Sequence, residues 1–228
     1  MSLNESAAQS FHEGDYEKAM AAWTEAAEAG DTEAQFQLGL CYSNGTPGEK
    51  DYARALEFFL EAAGAGHTEA EYSLGVLYSV GLGTEADLPE GAYWYTRAAD
   101  KDHPLAMCNL AGLYERGEGV TQDFVKAVDL YSRSAKAGNV VAVFNLGVMW
   151  ENGVGLNQDI GKAAELYENA ANADFAPAQY NLGMLLIEGN GIARDLERGL
   201  ELLKSAAAQG HKPAITNLER LETQASAG

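Results

Sequence analysis

Histidine, cysteine, aspartate and asparagine are the residues of this 228-residue chain whose chemistry their spacing can decide. His67, His103 and His211 all stand at the same point of a 36-residue period, and His12 stands alone. One full period separates His67 from His103, so they do not converge easily on one ion, and each reads as a residue at the entry of a helix. Asp51, Asp87, Asp123, Asp159 and Asp195 also recur every 36 residues. Acid–base work by paired carboxylates requires two of them to face each other within reach of one proton, and a linear repeat spreads them apart. Cys41 and Cys108 fall in apolar helical patterns at non-equivalent repeat positions, as buried free thiols do. The turns Gly117-Glu118-Gly119 and Gly153-Val154-Gly155 lack the Gly-Lys-Ser/Thr of a phosphate-binding loop, and they end helices where a dinucleotide fingerprint follows a strand. No nucleophile–base pair, metal set or phosphate cradle emerges. The chain is expected to be no enzyme and to need no cofactor and no metal.

The amides are different. Gln37, Ser73, Asn109, Asn145, Asn181 and Asn217 form one row at the same 36-residue step, with four consecutive asparagines. An amide both donates and accepts, which matches the groups of an extended peptide backbone. The alternative use of such a row is to brace one repeat against the next. Leu40, Val76, Val148 and Met184, a helical turn away, would share its groove, with Glu33, Glu69, Arg116, Asn152 and Glu188 at the edges. Phe36, Tyr72, Cys108, Phe144 and Tyr180 run beside the row and are expected to be largely core.

The elements that position these rows follow from the period. Ala34, Ala70, Ala106, Ala142, Ala178 and Ala214 keep the 36-residue step, as do Leu38, Leu74, Leu110, Leu146, Leu182 and Leu218. Ala142, Leu146 and Trp150 lie at i, i+4 and i+8, one face of a first helix. A small residue follows the leucine (Gly39, Gly75, Ala111, Gly147, Gly183). Glycine costs about 1 kcal/mol inside a helix, so its recurrence predicts close helix–helix approach. The periodic aspartate opens a second helix by capping its free N–H groups. Apolar residues then return at helical steps, for example Phe124, Ala127, Val128, Tyr131 and Ala135. Such pairs bury their apolar faces only by stacking. The pattern predicts one solenoid over 1–228: full units at 31–66, 67–102, 103–138, 139–174 and 175–210, a short helix pair at 5–30, and a capping helix at 211–224.

Net charge is −19. Such a chain repels phosphate backbones, so nucleic acid is excluded as a partner class. Residues 1–102 hold 19 acidic and 5 basic side chains, a net −14, against −5 for residues 103–228. A partner steered by charge is therefore basic and is drawn to the N-terminal half; the alternative is an acidic surface that serves solubility. No apolar run reaches membrane-spanning length. The start, Met1-Ser2-Leu3-Asn4, has neither a charged n-region nor an apolar h-region. With two free thiols, the cytoplasm is the expected compartment, and the periplasm or the exterior is the alternative if a native leader was removed.

Ala178-Gln179-Tyr180-Asn181-Leu182-Gly183 and the segment Gly117 to Ala127 resemble the Sel1-like repeat, and Phe11 through Ala19 is more similar to a tetratricopeptide turn. The resemblance covers residues 31–210 in full. It implies an all-α, right-handed α-solenoid of antiparallel helix pairs, first helices lining a concave face, and work as a scaffold or adaptor. The partner would be a protein or peptide, the chain a monomer. A second role within the family is that of an immunity or inhibitor protein masking a basic effector. Members with a cysteine pair in each repeat are described as β-lactamases or penicillin binders; this chain lacks those pairs.

Overall fold

The structure, a computed structural model, describes residues 3–226. Thirteen helices and no strand occur among the described residues. They fall into two compact units. The first ends at Gln122 and contains α1 (Leu3–His12), α2 (Tyr16–Glu28), α3 (Thr32–Asn44), α4 (Tyr52–Gly64), α5 (Thr68–Val80), α6 (Leu88–Ala99) and α7 (Pro104–Arg116). The second begins at Asp123 and contains α8 (Phe124–Lys136), α9 (Val140–Asn152), α10 (Ile160–Asn172), α11 (Ala176–Glu188), α12 (Leu196–Ala208) and α13 (Lys212–Ser226). No helix among the described residues is long and apolar enough to cross a membrane.

Local chemistry sets these boundaries. Asp51 and Asp87 in the first unit, and Asp159 and Asp195 in the second, accept N–H bonds from the first turn of the helix each one opens. Their own N–H groups reach back to Tyr42, Tyr78, Trp150 and Leu186 at 2.8–3.0 Å, which closes each hairpin. At the exits of the first helices Gly45, Gly81, Gly117, Gly153 and Gly189 take the left-handed conformation.

The second glycine of each exit turn has a further job. Gly83 has a φ of 76°, and a Cβ there would sit 2.4 Å from the backbone of Tyr52, the first residue of α4. Gly119 meets Leu88 in the same way, as do Gly155 with Phe124 and Gly191 with Ile160. This glycine docks the turn onto the preceding pair, so it holds repeats together as well as ending a helix. In the first repeat Pro47 stands in its place, and a Cβ on Gly48, which follows it, would meet open space.

Within a pair, the small residue of the first helix is covered by the large residue of the second. A Cβ on Gly75 would lie 2.4 Å from the Tyr95 ring, and one on Gly39 2.5 Å from Phe59. Gly147 meets Tyr167 and Gly183 meets Leu203 in the second unit. The core is built from these pairs and from alanines with no exposed surface, among them Ala62, Ala70 and Ala98 in the first unit and Ala163 and Ala178 in the second. Small side chains let the helix ends approach closely.

Candidate functional site

The residue at the entry of each first helix does more than start it. His67 Nδ1 accepts the N–H of Ala70 at 3.2 Å, and His103 Nδ1 accepts that of Ala106 at 3.1 Å. An accepting Nδ1 leaves the proton on Nε2. There His67 donates to Glu33 Oε2 at 3.2 Å and His103 to Glu69 Oε2 at 3.0 Å. Each ring also stacks on the preceding repeat: His67 on Phe36 with centroids 4.4 Å apart, His103 on Tyr72 at 4.6 Å. Each imidazole thus caps its own first helix and clips it to the preceding one of the first unit through two contacts, the glutamate bond and the ring stack. At α11 in the second unit the clip is apolar, since Phe175 replaces the histidine, makes no capping bond and packs its ring edge-on to Phe144 at 5.4 Å. His211 leans on Tyr180 at 5.1 Å. Phe36, Tyr72, Phe144 and Tyr180 are only half-buried, and Cys108 alone of that row is fully buried.

The predicted polar row divides by unit. In the first, Gln37 is half-buried and its Nε2 donates to Glu33 at 2.7 Å. Ser73 bonds back to the Glu69 carbonyl at 2.8 Å. Asn109 is exposed and its amide bonds the phenols of Tyr72 and Tyr95. Burial raises both phenols above their ordinary pKa and the Asn109 bond opposes that rise. In the second unit Asn145, Asn181 and Asn217 are half-buried. Asn181 bonds the Tyr167 hydroxyl, which itself donates to Glu151 at 2.5 Å. Burial, then that carboxylate, push the Tyr167 pKa far up. Asn217 Nδ2 donates to the Tyr180 hydroxyl at 2.9 Å and lies 3.5 Å from Met184 Sδ. At three of its positions the row therefore already holds tyrosine hydroxyls.

Leu40 and Val76 line a cleft of about 310 Å³ in the first unit, together with Tyr52, Tyr72, Ser73 and Leu82. Val148 and Met184 are half-buried on α9 and α11. Among the groove-edge residues, Arg116 pairs with Glu118 at 2.7 Å, and Asn152 donates to the Val148 carbonyl.

Two buried polar hubs were not foreseen. Glu71 on α5 has no exposed surface; it meets Arg97 at 2.8 Å and Lys101 at 2.7 Å. Lys101 also donates to the Gly66 carbonyl at 2.9 Å. Gln179 is the equivalent residue of α11, 4% exposed, and bonds Asp174 and Gln209, both at 2.9 Å. The signal was present as spacing: Glu71 to Lys101 and Gln179 to Gln209 are both 30 residues, and Glu33 to His67 and Glu69 to His103 are both 34.

Among the described residues no three His, Cys, Asp or Glu side chains gather as a metal set. Cys41 is buried, which pushes its thiol up to about 11. The polar side chains placed here cap helices, pair charges or hold phenols, and the surface between them offers amides and apolar stubs, groups suited to binding.

Comparison with known proteins gives the same architecture. The family model described as Sel1 repeat matches residues 32–67, 68–103, 104–139, 140–175 and 176–211. A protective antigen of uropathogenic Escherichia coli displaying an SLR fold superposes with a TM-score of 0.92 at 31% identity. That match covers 99% of this chain and 49% of the antigen, so the chain spans about half its length. A Sel1 repeat protein of Oxalobacter formigenes matches with a TM-score of 0.87 and 27% identity, over 94% of this chain and 85% of that one. An immunity protein of Pseudomonas aeruginosa shares the fold at 22% identity, with a TM-score of 0.53 over 80% of this chain and 67% of its own. No curated protein matches the sequence.

Proposed function

The chain belongs to the Sel1 repeat family, and from that premise we propose that it is a non-catalytic scaffold whose first helices hold a peptide or protein partner. Sel1 repeats are typical of protein–protein interaction, and they are generally not catalytic. The observation that carries the reading for this chain is the cleft beside the row: Leu40, Ser73 and Val76, three residues expected at a binding surface, share a cavity of about 310 Å³. Its apolar walls and few hydroxyls suit a side chain of a partner better than a reacting centre. Of the titratable groups that line it, Tyr72 is stacked on His103 and Lys50 lies 5.8 Å from the centroid of the Tyr52 ring. A second reading rests on charge. The net −14 of residues 1–102 suits a basic partner, and an immunity protein shares the fold; masking of a basic effector is the form that reading takes.

The test is affinity capture from the source organism with mass spectrometry, repeated with Asn145→Ala plus Val148→Asp and with Val76→Asp. A partner retained by the parent chain and lost by either variant, with the melting temperature unchanged, is the expected result. Equal retention by all three, or no specific partner at all, overturns the assignment. A salt series on the captured complex separates the two forms: binding that collapses with salt indicates masking of a basic effector, and salt-tolerant binding indicates peptide readout.

A further inference from the structure

A second cleft lies beside the first on the same unit. It has a volume of about 360 Å³ and is formed by α1, α2 and α3. Half-buried Phe11 makes its aromatic wall, backed by the buried Trp23 with ring centroids 5.4 Å apart. The Trp23 indole N–H donates to Asn4 Oδ1, another lining residue, at 2.9 Å. Glu5 and Glu33 border the opening. Glu33 keeps 49% of its side chain exposed while it holds His67. An aromatic side chain beside two carboxylates forms a site for a cationic side chain, which gains from the charge and from the ring quadrupole.

The 310 Å³ cleft has the opposite character. Leu40, Val76 and Leu82 make it apolar, and the one charged group that lines it is Lys50, 5.8 Å from the centroid of the Tyr52 ring. An ammonium there repels a second cation, so this cleft takes an apolar side chain.

One helix stripe joins the two. Glu33 and Gln37 line the acidic cleft, and Leu40 and Asn44 line the apolar one. These residues fall at i, i+4, i+7 and i+11 of α3, a single face. Eleven residues of helix rise about 16 Å, and an extended chain covers that distance in about five residues at ~3.3 Å each. We propose that the first unit reads a bipartite motif in an extended peptide: a lysine or arginine seated against Phe11 between Glu5 and Glu33, and an aliphatic or aromatic residue about three to five positions away seated among Leu40, Val76 and Leu82. The occupant is a basic–apolar segment of another protein. The proposal rests on the scaffold reading above. It adds the chemistry and the spacing of the ligand, and the charge of the region supports it, since residues 1–102 carry a net −14.

The experiment is selection of random twelve-residue peptides displayed on phage against the full chain, followed by alanine scanning and calorimetry of the enriched peptides as free synthetic molecules. The expected enriched sequences depend on one Lys or Arg and one Leu, Ile, Met or Phe at that spacing. Glu5→Lys and Val76→Asp are each expected to weaken them at least tenfold. Changing the spacing by three residues does the same, and circular dichroism of both variants matches the parent. Glu5→Gln, a neutral change at the opening, serves as the milder partner of Glu5→Lys should the latter disturb α1. Enriched peptides that ignore both clefts but fail on Asn145→Ala plus Val148→Asp overturn the bipartite site and leave the scaffold reading standing. Selection that enriches no peptide above empty bait overturns both.

Discussion

Glu71 and Gln179 occupy the same position of two equivalent helices, and the two units solve that position by opposite chemistry. Both side chains are buried, and both reach the end of the following second helix 30 residues on. In the first unit a carboxylate closes on Arg97 and Lys101, whose side chains remain 35% and 38% exposed. In the second an amide closes on Gln209 and on the exposed Asp174. The slot demands a group that ties helix ends together; it does not demand a charge. The difference lies in what happens when a partner is removed. A buried carboxylate left without its cations has no water to turn to, and such losses cost about 3–5 kcal/mol. A buried amide left without its partner costs about 1–3 kcal/mol.

The largest predicted effect is therefore on the first hub. Arg97→Met with Lys101→Met should destabilise the chain by about 3–5 kcal/mol in urea titration, and adding Glu71→Gln to that pair should restore most of the loss. If the double variant melts like the parent, the carboxylate is hydrated and the contrast with Gln179 disappears. Next comes Gln179→Leu, which deletes the amide but leaves Asp174 and Gln209 able to reach solvent. A cost of about 1–2 kcal/mol is expected, and a cost equal to that of the first hub would break the comparison.

The caps sharpen it further. His103→Ala should cost about 1 kcal/mol for the cap, and His103→Asn should recover that part while still lacking the Tyr72 stack and the Glu69 bond. Phe175→Asn, which supplies α11 with a capping side chain, should gain the cap and lose the Phe144 contact, with little net change in melting temperature. The smallest effect is a reporter. Cys41 and Cys108 both lie in the first unit and both are buried. With the Cys41 pKa at about 11 against 9.0 for an ordinary thiol, its thiolate fraction at pH 8 is lower by about a hundredfold. Iodoacetamide labelling at pH 8 should be slow in the parent chain and should accelerate in the Arg97/Lys101 variant but not in Gln179→Leu. Equal acceleration in both would mean that the two hubs do not act on separate units.

Much of this was legible without coordinates. The 36-residue period, the capping aspartates and the small residue that follows each first-helix leucine are local or strictly periodic features, so a single chain reveals them. The polar row from Gln37 to Asn217 was legible as a row. Its use was not, because Asn109, Asn181 and Asn217 meet tyrosines that approach only when helices stack. The Glu–His clips were hidden for a related reason. Their partners recur at 34 residues, not 36, and in the first unit alone, so self-comparison averages them away.

The sequence by itself determined the family, the helix pairs and their caps, because those rest on hydrogen bonds within a few residues and on a repeating apolar face. Tertiary structure alone decided that His67 and His103 clip neighbouring first helices, that Glu71 is buried with two cations, and that α3 carries an acidic cleft and an apolar one on a single stripe. Each depends on which side chains a stack of helices brings within 3 Å across 30 or more residues. That proximity is a property of the packed pairs, not of any one segment.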